Sequence, residues 1–163
     1  MPHIHEKIDY AGDVLIVNRD AVLLRLHDKY DMWLPPGGHV ELDEDFVEAA
    51  IREAKEETGL DVELYGSSME SLVSEGNGPI SEERELMIPR FINRHRVSET
   101  HEHISMVYFG TCSSREINPA EGEKRDGFKW FTKEDLDDPS HGLSERIRQY
   151  ALTALETINP VKK

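Results

Sequence analysis

Residues 33–60 read WLPPGGHVELDEDFVEAAIREAKEETGL, and the rest of the chain is organised around this stretch. It parses as a loop, a tight turn at Gly37-Gly38, and one helix. Asp45 can serve as N-cap, with Glu48 three residues on reaching back to it, a capping box. Gly59 suits the left-handed position just past a helix end. These signals predict a helix over residues 46–58. On a wheel of about 100° per residue, Val47, Ala50, Ile51 and Ala54 share an apolar stripe, with Phe46 at its edge, and the stripe is expected to pack on a core. Glu53, Glu56 and Glu57 stand together at i, i+3 and i+4 on an adjacent face. Glu48 and Lys55 point to water, with Arg52 nearby. Three like charges on one face repel one another, and the C-terminal half of a helix is the wrong end for anions. One reading is a solvated acidic face. The other is a cluster of hard oxygen ligands, suited to a hard divalent cation such as Mg2+. The carboxylates border the apolar stripe rather than lying opposite it, which favours the second.

Gly38, five residues, Glu44, seven residues, Arg52-Glu53-Ala54, one residue, Glu56-Glu57, one residue, Gly59-Leu60 resembles the full Nudix box, with no position departing. The order of elements on either side also resembles a Nudix hydrolase domain, from about residue 8 to residue 158, so the chain 1–163 is expected to be a single such domain. The resemblance implies an α/β/α sandwich with a mixed central sheet. It implies hydrolysis of a nucleoside diphosphate linked to another group, with Mg2+ as cofactor and Mn2+ as its substitute. It further implies that the Gly38 carbonyl, Glu56 and Glu57 hold metal, and that Glu53 is a ligand or the general base. Glu44 and Arg52 would brace the loop and helix. Nudix hydrolases often bring a further carboxylate from a late loop, and Glu121 and Glu123 are the candidates.

The length suits one domain, enough to bury roughly two-thirds of the unfolded surface. No apolar run reaches membrane length, and no signal peptide or low-complexity tract is evident. Cys112 is the only cysteine, so no intrachain disulfide can form, which fits a reducing cytoplasm. A net charge of −14 repels polyanions and argues against non-specific nucleic-acid binding. The expected partner is a small nucleotide; a homodimer is compatible with the sequence.

His3 and His5 alternate as strand neighbours do, without making a metal site. Asp13–Asn18 and Ala21–His27 read as a hairpin joined by Arg19-Asp20. In its second strand Leu23, Arg25 and His27 share one face, so Arg25 can either enter a site and meet phosphate or form a surface salt bridge. Trp33 can stack on a base or belong to the core. A strand is expected at 61–65, then a Gly-, Ser- and Glu-rich loop at 66–85 with a strand extension near 69–74. Residues 86–97 form the one basic island. As a strand it would set Arg90, Arg94 and Arg96 on one face and Phe91, Asn93 and His95 on the other. The arginine face can offer guanidinium forks to phosphate, or neutralise nearby acidic loops. Residues 104–112 read as a central strand. His101-Glu102-His103 precede it as a His-x-His pair, but no third soft ligand stands at zinc spacing nearby. A short strand at 128–131, a turn capped by Thr132, and an amphipathic helix from Ser144 carrying Ile147, Tyr150, Ala151, Ala154, Leu155 and Ile158 complete the chain.

Two rivals to hydrolysis arise. A nucleotide sensor of the same fold would not need all three glutamates. A prenyl-diphosphate isomerase would resemble enzymes with a cysteine upstream of the box, whereas Cys112 lies far downstream in an apolar strand.

Overall fold

The computed structural model describes residues 7–27, 31–66, 86–122 and 127–160. Strands β1 (Ile8–Asn18) and β2 (Ala21–His27) form the expected hairpin, with Val17 opposite Val22 and Arg19 in the left-handed region at φ 57°. β1 begins at Ile8, earlier than its apolar run. The reason lies across the sheet: β1 pairs in parallel with β7 (Glu102–Cys112) from Ile8 opposite Glu102 to Val17 opposite Thr111. The polar half of the strand is thus held by its backbone partner rather than by apolar patterning.

The loop expected ahead of the helix contains two short strands, β3 (Met32–Leu34) on β2 and β4 (Gly37–His39) on β1. β5 (Val62–Leu64) and β6 (Phe91–Arg96) flank β7, and β8 (Phe128–Thr132) lies on β2. Among the described residues these eight strands form one mixed sheet.

Period-2 alternation in the central strands feeds two cores. Leu15, Val17, Val22, Leu24, Val107 and Phe109 meet Ile147, Ala151, Ala154 and Leu155 of α3 (Glu145–Ile158). Val14, Ile16, Leu23 and Tyr108 meet Ala50 and Ala54 of α1 (Phe46–Thr58) on the opposite face. The architecture is therefore the α/β/α arrangement expected. Thr132 caps α2 (Lys133–Asp137), and Ser144 caps α3.

α1 has the predicted limits. The Asp45 side chain accepts from the Val47 and Glu48 amides, Glu48 accepts from the Asp45 amide, and Gly59 ends the helix at φ 75°. Its inward face differs from the expected stripe, however. Ala49, Ala50, Ala54, Glu57 and Thr58 are buried, while Ile51 is 40% exposed. Gly12 supplies the reason. A Cβ there would stand 2.6 Å from the Phe46 carbonyl oxygen and 2.9 Å from the Ala50 nitrogen. Helix and strand approach so closely that the small side chains must face inward, turning Ile51 out and carrying Glu57 towards the sheet.

Among the described residues no helix is long and apolar enough to cross a membrane. His3, His5, Glu123 and the strand expected near 69–74 lie outside the described residues.

Candidate active site

β1 exchanges neighbours part-way along its length. Near Val17 it pairs with β2, and at Ala11–Asp13 it pairs with β4. A cleft of about 680 Å3 opens beside this exchange, floored by alternate residues of β1, β6 and β7 and walled by α1 and the first turns of α3. Gly37 and Gly38 form part of its rim. A Cβ on Gly38 would stand 2.5 Å from the Glu53 carboxylate, so that carboxylate rests directly on the glycine backbone. Any side chain at 38 would push it away.

Glu57 is almost fully buried. It pairs with Arg25 of β2 and accepts from the Gly37 amide at 3.2 Å, bridging the two strands that part at the split. Arg25 thus points into the site, but its recorded partner is a carboxylate of α1. Glu56 is the most open of the three glutamates, its side chain 47% exposed.

Arg52 ties this region together. It donates to Glu44 at 2.5 and 3.0 Å, to the His39 carbonyl at 3.0 Å, to Glu53 at 2.8 Å and to Glu56 at 3.0 Å. The Glu44 carboxylate beside it holds the guanidinium above its usual range, and Arg52 in turn lowers Glu44. A planar fork with several donors suits this sharing, where a lysine would not.

The basic island turns the other way from the arginine face. The face of β6 that meets the cleft carries Asn93 and His95, while Arg94 points outward and pairs with Glu102. Arg90 stands over the rings of Tyr65 and Phe109, each 5.9 Å away, at a separate shallow depression. The cause is Phe91. It stacks on Tyr150 with ring centroids 4.0 Å apart, and this apolar anchor fixes the parity of the strand. Of the island's arginines, Arg96 reaches the cleft wall. Trp33 packs edge-on against Phe131 at 4.9 Å and belongs with the core residues rather than the cleft lining. Glu121 is exposed. The neighbouring Ala120 amide donates to the Glu56 carbonyl at 2.8 Å, so the late loop docks on the C-terminal turn of α1 without Glu121 joining the cleft lining.

Three features escaped the sequence reading. Asp13 of β1 opens on the cleft yet is enclosed by protein. Burial pushes its carboxyl up to about 7; Ser105 and Arg146 oppose this, and Glu53 adds to it. Arg146, in the first turn of α3, lines the same space. The third is a histidine cluster. His101 and His103 do acquire further ligand-type neighbours, because β4 brings His39 and β1 brings Asp9 to them. The four come from three separate stretches of chain, so spacing along the sequence shows the His101–His103 pair but not the partners that complete it. Burial, reinforced by the positive charge of its neighbours His39, His95 and His101, lowers His103 to about 4.

The NUDIX domain family model matches residues 8–152. A crystal structure of a NUDIX-family hydrolase from Clostridium perfringens is similar at 40% identity and TM-score 0.81, covering 93% of this chain and 98% of that one. The chain belongs to the Nudix family of hydrolases. An ADP-ribose pyrophosphatase from Streptococcus suis shares the fold, at 18% identity and TM-score 0.56 over 94% of each chain. The m7GpppN-mRNA hydrolase NUDT17 of Danio rerio is 48% identical over 52 residues, 32% of this chain and 17% of that protein. The chain thus matches only a small part of the length of that curated relative.

Proposed function

We propose that the chain is a Mg2+-dependent pyrophosphohydrolase. It cleaves a nucleoside diphosphate linked to a second group X, giving a nucleoside monophosphate and the phosphorylated remainder. The observation that carries this reading is the Glu53 carboxylate lying on Gly38, with Glu57 on the Gly37 amide, at the rim of a cleft of nucleotide size. The donor set fits a hard divalent ion: three carboxylates and the Gly38 carbonyl, all oxygen, with Mn2+ as the natural substitute. Held there, Mg2+ would neutralise the diphosphate oxygens and acidify the attacking water.

The chain's own residues supply position and charge. Glu56 and Glu57 would serve as principal ligands, and Glu53 as a ligand or as the acceptor of the water's proton. The water oxygen bonds to one phosphorus, the bridging oxygen leaves with the other phosphate, and the proton passes to a carboxylate. Arg52 and Glu44 fix the glutamates relative to the glycine turn. Arg96 and Arg146 offer cationic groups to phosphate, and Leu34, Val97 and Tyr150 offer apolar surface to a nucleoside or to X. Arg25, paired with Glu57 here, would be free to meet phosphate were an ion to take Glu57. We assign the whole chain to one domain acting in the cytoplasm, where its single cysteine stays reduced.

The test is Glu56→Gln assayed with Mg2+ against nucleoside triphosphates, nucleotide sugars, ADP-ribose and a capped dinucleotide. The last two are included because of the relatives' activities. Loss of one ligand should cost at least ~100-fold in rate on the preferred substrate. Activity near wild type would remove the metal-holding role from the helix.

A further inference from the structure

We propose that Asp9, His39, His101 and His103 form a second metal site, distinct from the glutamate cluster, that takes a divalent transition-metal ion, Zn2+ foremost. The ligand atoms are Asp9 Oδ2 and the Nε2 atoms of the three histidines, all within 4.8 Å of one another. His39 and His103 stand 3.0 Å apart, His101 and His103 3.1 Å, His101 and Asp9 3.2 Å, and His39 and Asp9 3.8 Å. Ligands at about 2.0–2.1 Å from a tetrahedral zinc stand about 3.3–3.4 Å from one another; four of the six pairs lie round a ring at 3.0–3.8 Å and the other two within 4.8 Å, so side-chain rotation that draws the diagonals in would close such a shell.

The sheet builds this convergence. The parallel register sets Asp9 beside His103, and the antiparallel register sets His39 beside Ala11, one alternate position along the same face of β1. His101 enters from the residue just before β7. Backbone pairing, not side-chain attraction, therefore delivers the four groups to one point.

Hydrogen bonding alone serves the arrangement poorly. A neutral imidazole nitrogen carries either one hydrogen or one lone pair. His103 Nε2 has two nitrogen neighbours at bonding distance, and His101 Nε2 must also serve Asp9. A cation at the centre lets all three nitrogens direct lone pairs inward at once, while the carboxylate cancels one of its charges. The chemistry also separates this site from the glutamate cluster. Three imidazoles and one carboxylate suit zinc and its first-row neighbours, whereas Mg2+ prefers oxygen. His39 is half open to solvent, which leaves an entry path. Because His39 follows Gly38 directly, the bound ion would tie β4 to β1 and β7 and so hold the glycine turn of the catalytic cleft.

The experiment is a Zn2+ titration by calorimetry on untagged, chelator-stripped protein, in excess Mg2+. The expected result is one Zn2+ per chain. Asp9→Asn, His101→Asn and His103→Asn should each weaken it by about 100-fold or more, since outer partners of a ligand alone commonly cost about 10- to 100-fold. Glu56→Gln and Glu57→Gln should leave Zn2+ affinity unchanged, so this result is independent of the hydrolase reading. Far-UV circular dichroism of each variant reports folding. Co2+ bound to the wild type provides a check that needs no variant, with the intense visible bands of a tetrahedral ion expected. No saturable Zn2+ binding, equal affinity in the histidine variants, loss in the glutamate variants, or the pale spectrum of octahedral Co2+ would each overturn the proposal.

Discussion

Burial holds a proton on Asp13 up to about pH 7, against the opposing pull of Ser105 and Arg146. In the unfolded chain the same carboxyl titrates near 3.8. Between these values the folded state binds the extra proton, so the group's contribution to stability is complete below the lower value and is lost as pH rises through the upper one. Asp13→Asn removes that dependence. In the presence of chelator, the stability of the variant relative to wild type should increase by roughly 2–4 kcal/mol from pH 4 to pH 8, read from denaturant unfolding. A difference that does not change with pH would show that the carboxyl titrates normally. Arg52 makes a second single-residue case. Its fork reaches two carboxylate oxygens of Glu44, the His39 carbonyl, Glu53 and Glu56, and its side chain is only 24% exposed. Arg52→Lys keeps the charge and loses the fork. It should lower stability by about 1–3 kcal/mol and Mg2+-dependent turnover by at least ~10-fold. Thermal melts and kcat together would check this, and an unchanged kcat would reduce Arg52 to a surface pairing.

The helix α1 depends on how closely it lies on β1. Gly12→Ala would place a methyl against the Phe46 carbonyl and the Ala50 amide, both backbone atoms that cannot step aside. The expected cost is about 1–3 kcal/mol, with a larger fall in activity because Glu53 and Glu57 move with the helix. Asp45→Ala should cost only ~1 kcal/mol, since it removes a cap and leaves the packing in place. If the two variants were equally stable, the close approach would not be what sets the helix. The limits of α1 were legible in the sequence because its stop signals are local: Asp45 with Glu48 at one end, Gly59 at the other. The rotation of the helix was not, because a wheel shows an apolar arc without showing which part of it meets a glycine in a strand far away in the chain. β6 teaches the same lesson. Its two faces could be read from period-2 alternation, but only the stack of Phe91 on Tyr150 decides that Asn93 and His95, rather than Arg94, look into the cleft.

Across the whole molecule, the site is assembled by registers between distant strands. The box from Gly38 to Leu60 could be read as one unit because its residues are consecutive. Asp13, Arg146 and the Asp9–His39–His101–His103 group could not, since they stand on or beside β1, β4, β7 and α3, which only the fold brings together. On the proposed function, an acidic chain of net charge −14 would take an anionic substrate against its own field, so added salt should lower KM for the nucleotide by screening that repulsion. A KM that rises with salt would mean that the local arginines of the cleft dominate. The metal-holding role of the helix glutamates is tested by a crystal structure with Mn2+ and a non-hydrolysable nucleotide, with anomalous scattering collected at the manganese edge. Anomalous peaks are expected at the carboxylates of Glu56 and Glu57 and the Gly38 carbonyl, with Arg25 turned from Glu57 towards phosphate. Glu57 still paired to Arg25, with no manganese within coordinating distance of the three glutamates, would contradict that role.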